Sequence, residues 1–196
     1  MTLRDLVANH SIANDGAEVL RSIGAAGQSF LVYALPRNAG KSTVTEAIVA
    51  EAPESLPRLD FYGTEDEAVA LSAAPARAYL QVGEIGHRGR RGYLADEEVV
   101  RLFDVLSGGT YSLASSLHAD SVDGVFDVLR KNGVSSRVAA AVVSHVVKVR
   151  PLGDPDDPAT PRVVEQIHAI TPGDDGEPSA SLLFQWTGAS AGQARA

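Results

Sequence analysis

One short segment of the chain combines the residue types that bind phosphate groups. It is Asn38-Ala39-Gly40-Lys41-Ser42-Thr43. Glycine and other small residues allow consecutive backbone N–H groups to wrap an anion, and Lys41 adds a compact positive charge for the outer phosphates. The Ser42 hydroxyl is an oxygen ligand suited to Mg²⁺. We therefore expect a nucleotide or phosphate site in this segment.

The segment matches the phosphate-binding loop (P-loop) pattern, which is Gly, four residues, Gly, Lys and then Ser or Thr, except at its first position. Leu35 stands where the first glycine belongs. A bulky side chain there is expected to block the turn or to change the shape of the loop. Asn38 is a milder change, because Asn tolerates positive φ. Without its context, Gly-Lys-Ser-Thr is equally consistent with the start of a helix that binds nothing.

The residues around this segment form the elements that a P-loop requires. Residues 29–34 are a continuous apolar run of strand length, and residues 42–51 carry apolar side chains at helical spacing. Continuous apolar runs are typical of strands that are buried in a parallel sheet. The order strand, loop, helix therefore favours a phosphate site over a chance match.

Polar residues also follow other predicted strands. Glu84 follows the apolar run 78–82, Glu65 follows a predicted strand over residues 59–62, and His118 follows one over residues 111–115. The carboxyl ends of parallel strands converge on the crevice where α/β sheets bind ligands. Glu84 is thus a candidate to orient water or bind Mg²⁺, and His118 to sense a terminal phosphate. The plainer interpretation is two solvated acids and a structural histidine.

The rest of the chain predicts an α/β architecture. Two short helices are expected between residues 3 and 23, and further helices over residues 97–106, 122–131 and 135–144. Helices that alternate with apolar strands favour a mostly parallel central sheet flanked by helices.

The last part of the chain has a different pattern. Residues 162–170 and 181–186 are strand-like and flank a turn over residues 172–176, which predicts a C-terminal β-hairpin. We expect residues 1–187 to form a single domain and residues 188–196 to form a disordered tail.

Composition and charge argue against some classes of binding partner and some cellular locations. The chain has 196 residues, a formal net charge of -8, no cysteine, and five histidines without metal-ligand spacing. A negative net charge disfavours sequence-independent binding to nucleic acid, and a chain without cysteine forms no disulfide or thiolate zinc site. The start of the chain does not look like a signal peptide, and the most apolar stretch, residues 138–149, is too short and too polar to span a bilayer. We therefore expect no membrane insertion and a cytoplasmic location.

Taken in order, four segments resemble the signatures of the ATPases of type II secretion, type IV pili, type IV secretion and tight-adherence pili. The Walker A motif is resembled by Gly40-Lys41-Ser42-Thr43, and the Asp box by Thr64-Glu65-Asp66. The Walker B motif is resembled by Val82-Gly83-Glu84-Ile85, and the His box by Ser116-Leu117-His118-Ala119-Asp120-Ser121. The resemblance covers roughly the whole chain after Ala17 and includes the predicted hairpin. It also implies a helical segment over residues 122–152. It implies a RecA-like P-loop core that binds ATP and Mg²⁺.

The resemblance also implies a role for each candidate residue. Lys41, with the rest of its loop, would contact the phosphates, and Ser42 and Glu84 would hold the metal. Glu84 would also activate water, Glu65 would support the metal or the water, and His118 would couple the nucleotide state to motion. The implied partners are further copies of the chain and components of a secretion or pilus machine.

The chain departs from this family in two ways. Members carry an N-terminal domain that closes over the nucleotide of a neighbouring subunit, and the chain resembles their C-terminal ATPase domain only. The family's arginines between the Asp box and the Walker B motif have no clear match beyond Arg77. Gly86 stands where an arginine is expected after Ile85, and the cluster His87-Arg88-Gly89-Arg90-Arg91 either supplies a substitute for it or is a solvated loop. Two other functions thus stay open: a non-hydrolysing P-loop module for binding or regulation, and a small-molecule kinase with the 87–91 cluster as a lid.

Overall fold

The computed structural model describes residues 1–86 and 92–188 of the chain. The helices of this part are α1 (Leu3–Ala8), α2 (Asn14–Ala26), α3 (Lys41–Val49), α4 (Glu65–Ala73), α5 (Glu97–Ser107), α6 (Val122–Lys131) and α7 (Ser136–Val142). The strands are β1 (Phe30–Tyr33), β2 (Arg58–Asp60), β3 (Ala78–Gln81), β4 (Glu84–Ile85), β5 (Tyr93–Leu94), β6 (Tyr111–Leu117), β7 (His145–Pro151), β8 (Arg162–Pro172) and β9 (Pro178–Gln185). Strands and helices largely alternate as far as β7, as the sequence predicts.

The strands of the described residues form one sheet in the order β2-β3-β6-β1-β7-β8-β9, and β4 and β5 extend it beside β6. The neighbours from β2 to β7 pair in parallel, whereas β8 and β9 add to β7 as an antiparallel hairpin. A mostly parallel central sheet with flanking helices and a C-terminal hairpin was predicted and is confirmed. The 87–91 cluster and residues 189–196 of the predicted tail lie outside the described residues, and the single domain over residues 1–187 stays a prediction.

β1 lies in the middle of the sheet and is buried on both faces. Leu31 and Tyr33 face one apolar core, which α5, α6 and α7 cover, and Phe30 and Val32 face the other, which α1, α2 and α3 cover. Successive side chains of a strand point to opposite faces, so a run without polar residues is what a strand between two cores requires. The loop that follows β1 is thereby held at the centre of the sheet's carboxyl edge.

The strand next to β1 was not predicted. The family resemblance placed a helical segment over residues 122–152, but α7 ends at Val142 and β7 begins at His145. β7 pairs in parallel with β1, with Phe30 opposite His145. The helical prediction is therefore wrong for β7, in which Val147, Lys148, Val149 and Arg150 alternate apolar and charged residues with the period of a strand.

Two helices begin in segments rich in acidic or turn-forming residues. Glu65-Asp66-Glu67 is the first turn of α4, where Thr64 accepts a hydrogen bond from the Glu67 N–H and the Glu67 carboxylate accepts one from the Thr64 N–H. Thr-x-x-Glu is a capping-box pattern, so the signal was present in the sequence. Asn14-Asp15-Gly16 lies inside the first turn of α2. Within the described part of the chain, no helix is both long and apolar enough to cross a membrane.

A close contact between α2 and α3 holds the helix that carries Lys41. Gly24 in α2 approaches the backbone of α3 so closely that a Cβ atom at this position would overlap the Ile48 carbonyl oxygen. The backbone of α3 cannot retreat freely, because Ala47 and Ile48 are fully buried beneath it. Gly24 is thus required by the packing rather than by its backbone conformation.

Replacing Gly24 with Ala is expected to lower the free energy of unfolding by about 1–3 kcal/mol through overpacking. Helix propensity alone would change it by ~1 kcal/mol in the opposite direction, so the sign separates the two effects. The measurement is urea unfolding of the variant beside Ser22→Ala, an exposed position in the same helix. Ser22→Ala should change the value by less than about 0.5 kcal/mol. A Gly24→Ala variant more stable than the parent would contradict the contact.

Candidate active site

The loop between β1 and α3 has the backbone of an anion-binding loop. Asn38 and Gly40 have φ angles of 58° and 95°, so both are left-handed. This matches the residue types, because Asn and Gly tolerate that region best. Gly40 caps α3 without a side-chain hydrogen bond. The first N–H groups of α3 thus face the loop, where the helix dipole favours an anion.

Leu35 does not block this loop. Its side chain is 65% exposed, and its φ is not in the left-handed region. The position therefore does not need the conformational freedom of glycine, and the side chain points into solvent. What the site uses is the Leu35 carbonyl oxygen, which lies 2.8 Å from Nδ1 of His118.

The loop opens into a cleft of about 910 Å³ at the carboxyl edge of the sheet. The residues that line it are Arg37, Asn38, Ala39, Gly40, Lys41, Ser42, Thr43, Glu84, Tyr93, His118, Pro155, Asp156, Pro158 and Arg162. The structure thus brings together the whole predicted phosphate segment, Glu84 and His118, although these residues are up to 80 positions apart in the chain, from Asn38 to His118.

Three side chains from different elements of the fold meet inside the cleft: Lys41 begins α3, Glu84 begins β4, and His118 follows β6. The Lys41 ammonium lies 3.6 Å from Oε2 of Glu84 and 3.3 Å from Nε2 of His118, and that Nε2 lies 3.4 Å from Oε1 of Glu84. Lys41 and Glu84 are each only 7% exposed. An ammonium, a carboxylate and an imidazole in mutual contact and away from bulk water form a group in which each charge depends on the other two.

The tautomer of His118 follows from its contacts. A carbonyl oxygen only accepts hydrogen bonds, so Nδ1 carries the proton that is donated to the Leu35 oxygen. In the neutral ring, Nε2 is then an acceptor for an N–H of Lys41. The ring is held at both nitrogens, by the backbone of the phosphate loop and by its lysine. A change at either end of the loop therefore acts on His118.

Burial lowers the pKa of the Lys41 ammonium below its ordinary value of 10.5, while the Glu84 carboxylate opposes the shift. Removal from water disfavours the charged form of an amine, and a nearby negative charge favours it. A phosphate next to Lys41 would add a second negative charge and favour the ammonium further. The electrostatics of the cleft thus suit an anionic ligand.

Glu84 lies at the cleft because the strand before it ends early and the chain continues as a separate short strand. β3 ends at Gln81, and Glu84 begins the separate strand β4, in which Ile85 pairs with Leu117 of β6. The carbonyl of Gly83 accepts a hydrogen bond from the Ser116 hydroxyl at 3.0 Å, which fixes the break against β6. Glu84 is therefore level with the end of β6, where His118 follows. The sequence analysis placed Glu84 directly after the strand that is β3, whereas in the structure Glu84 is the first residue of the next strand, β4.

Glu65 is not brought to this group. It lies exposed in the first turn of α4, and it is not among the described residues that line the cleft. Arg77, the arginine with a partial match to the family, lies before β3 and donates a hydrogen bond to the Ala26 carbonyl at 3.3 Å. It is at the amino end of its strand, whereas the cleft is at the carboxyl ends.

The cleft has oxygen ligands that fit Mg²⁺. The Ser42 hydroxyl and the Glu84 carboxylate both line it, next to the positions that phosphates would take on the loop. Mg²⁺ prefers hard oxygen ligands, takes one or two from the protein and completes its shell with water and substrate phosphates. Ser42 and Glu84 are sufficient for a metal bound in this way, so the residues fit the predicted cofactor.

Four of the cleft residues that the sequence analysis missed come from one connection of the fold. Pro155, Asp156, Pro158 and Arg162 come from the connection between β7 and β8. Their position follows from β7 being parallel to β1, which brings the end of β7 to the same edge as the phosphate loop. Because β7 was not recognised as a strand, nothing placed its following loop at that edge.

Comparison with known proteins gives a likeness in structure. No protein-family model and no curated protein matches the chain. The VirB11 ATPase from the Brucella suis type IV secretion system, solved in complex with sulphate, aligns with a TM-score of 0.57 at 18% identity, over 84% of this chain and 54% of that one. The Legionella pneumophila ATPase DotB aligns with a TM-score of 0.58 at 12% identity, over 90% and 52%.

The chain has the fold of these secretion ATPases. The predicted RecA-like core is thereby confirmed, and so is the predicted similarity to this family in fold. At such low identity the likeness concerns the fold and not the activity. The chain spans about half the length of each of these two structures.

Leu35→Ala is expected to change the free energy of unfolding by less than about 0.5 kcal/mol, because its side chain is exposed and its backbone is unstrained. Leu31→Ala, in the fully buried β1, is the matched control and should cost about 2–5 kcal/mol. Chemical denaturation of the two variants checks both values. A loss of more than about 1 kcal/mol for Leu35→Ala would show that its side chain supports the loop.

Proposed function

We propose that the chain binds ATP with Mg²⁺ in the cleft and hydrolyses it. The observation that supports this most directly is the contact of Lys41, Glu84 and His118 beside the left-handed loop and the N-terminus of α3. A lysine at a P-loop and an acid that orients water are groups that phosphoryl transfer to water uses, since catalysis is mainly positioning and charge stabilisation.

In this proposal the phosphates bind the N–H groups of the loop and of α3, and the Lys41 ammonium contacts the outermost of them. The ammonium has three donors, so it can contact Glu84, His118 and a phosphate oxygen together. Glu84 accepts a hydrogen bond from the attacking water, orients it towards the terminal phosphorus and takes its proton, while the bond between that phosphorus and the bridging oxygen of ADP breaks. When bound through Ser42 and Glu84, Mg²⁺ neutralises charge on the phosphate oxygens.

His118 is proposed to report the occupancy of the loop. Its Nε2 contacts Lys41, whose position depends on the terminal phosphate, and its Nδ1 contacts the backbone at Leu35. His118 is followed by Ser121, the N-cap of α6, so a movement of the ring is passed to that helix within a few residues. Glu65 is left out of the proposed site, because it is exposed on α4 and does not line the cleft.

We further propose that the chain acts as a motor in the cytoplasm, together with copies of itself and components of a secretion or pilus machine. The support is the shared fold with VirB11, an ATPase of a type IV secretion system, and with DotB. The region of those structures that this chain does not span is the part that another segment or another subunit would have to supply.

Lys41→Ala is expected to abolish ATP binding, because it removes the only lysine among the described residues that line the cleft. Isothermal titration with Mg·ATP measures the affinity, and circular dichroism checks that the variant is folded. Lys131→Ala, which removes an exposed lysine at the end of α6, is the control and should bind like the parent. Equal affinity of Lys41→Ala and the parent would refute the site.

Glu84→Gln is expected to keep ATP binding while the rate of hydrolysis falls by about 10²-fold or more, because the amide no longer accepts the proton of the attacking water. Phosphate release at saturating ATP is the measurement. Glu54→Gln, an exposed position between α3 and β2, is the control.

The outcome also separates the alternative functions. Unchanged turnover in Glu84→Gln would exclude the proposed role of this residue. A parent protein that binds ATP without turnover would be the non-hydrolysing P-loop module. Transfer of the phosphoryl group to a small acceptor would indicate a kinase.

A further inference from the structure

Residues 153–161, in the loop between β7 and β8, form one wall of the cleft. Pro155, Asp156 and Pro158 of this loop line it. The loop is closed by its own hydrogen bonds, in which Asp154 and Asp157 accept from backbone N–H groups of the loop. Two prolines and these turns restrict its backbone, so the wall is formed in advance of any ligand.

Arg162 ties this loop to the phosphate loop. Its five N–H donors are engaged by five carbonyl oxygens, which belong to Asn38, Pro155, Asp157, Pro158 and Thr160. The stem of the side chain also packs against Gly40, where a Cβ atom would lie 3.7 Å from Cβ and Cδ of Arg162. A guanidinium has five donors in total, so Arg162 in this arrangement has none left for a phosphate. It is a positioning residue.

A second contact joins the same two loops. The Asn38 side chain donates a hydrogen bond of 3.0 Å from its Nδ2 to Oδ1 of Asp156. Asn38 is the left-handed residue of the phosphate loop, so the Asp156 carboxylate is fixed beside that loop. A carboxylate has two oxygens and accepts several hydrogen bonds, which leaves acceptor capacity on Asp156.

The order of the strands gives the cleft two different ends. Along the sheet, β6 with His118 lies on one side of β1, and β7 with the 153–161 loop lies on the other. Glu84 is level with the end of β6. The phosphate loop is therefore in the middle, with the carboxylate and imidazole at one end and the prolines and Asp156 at the other.

The two ends suit different parts of one elongated molecule. Phosphates at the Asp156 end would meet a like charge, whereas the proline rings present apolar surface and the carboxylate presents hydrogen-bond acceptors. A flat, uncharged group with hydroxyl or amino donors fits this combination. We propose that the 153–161 loop is the nucleoside subsite of the cleft, in which Pro155 and Pro158 contact the nucleoside and Asp156 accepts a hydrogen bond from it.

This inference rests on the proposed nucleotide site, and the test separates the two. Titration calorimetry compares Mg·ATP with Mg·tripolyphosphate, which has the phosphates and lacks the nucleoside. The parent is expected to bind both, and ATP more tightly. Asp156→Ala and, separately, Pro158→Ala should weaken ATP binding by about tenfold each, the size of one lost contact, and leave tripolyphosphate binding within about twofold.

Pro158→Ala removes the ring and keeps the carbonyl that Arg162 contacts. Asp174→Ala, an exposed acid in the turn between β8 and β9, is the control for net charge and should change neither affinity. Inosine triphosphate and 2′,3′-dideoxy-ATP then identify the donor. The analogue that lacks it should lose its sensitivity to Asp156→Ala.

Each failure has a different meaning. A parent that binds neither ligand would overturn the proposed function and the subsite with it. If ATP and tripolyphosphate weaken together in the variants, the 153–161 loop supports the phosphate loop and is not a nucleoside subsite. ATP affinity that is unchanged in both variants, or equal sensitivity of ATP and both analogues to Asp156→Ala, would likewise overturn the assignment.

Discussion

The arrangement of the cleft depends on the burial of one ammonium group. Lys41 is only 7% exposed, and a charge removed from water is stable only where other groups compensate it. Its compensation comes from Glu84 on β4 and from His118 after β6, while the chain that carries Lys41 comes from β1. The charge can thus be accommodated only where these strands are in register. The pairing of Ile85 with Leu117 has a direct electrostatic consequence, because it sets the height of Glu84 relative to His118.

The sequence predicted those parts of the site whose signals are local. The phosphate segment lies between a strand and a helix with clear patterns, and Glu84 and His118 each lie within a few residues of an apolar run. The 153–161 loop and Arg162 had no such signal. Arg162 and Asn38 are hydrogen-bonded at a separation of 124 positions, and their contact depends on β7 being parallel to β1. Residues 147–150 of β7 do alternate valine with a charged residue, which is a strand pattern, but they follow closely on the apolar residues of α7 and were interpreted with them as one helical segment.

Glu65 illustrates the opposite case: it belongs to a segment that resembles a family motif, but it does not line the cleft. The order of the acidic residues resembled the family, and Thr64 with Glu67 formed a capping box that went unrecognised. Carboxylates in the first turn of a helix interact favourably with its dipole, which is a sufficient reason for three acids in a row at the start of α4. A carboxylate near a predicted strand end can therefore either face a ligand at the edge of the sheet or stabilise the first turn of the following helix. The position of that helix relative to the sheet decides between the two.

The exposed side chain of Leu35 bears on how such loops are recognised. The site uses the carbonyl oxygen at this position, which every residue type has, and the backbone there is not left-handed. A motif search that requires glycine at position 35 excludes this chain because of Leu35, although the side chain of this residue is exposed to solvent. A definition written in dihedral angles, left-handed at 38 and 40 and unconstrained in residue type at 35, accepts it. Phosphate-binding loops are thus better classified by backbone conformation than by residue type.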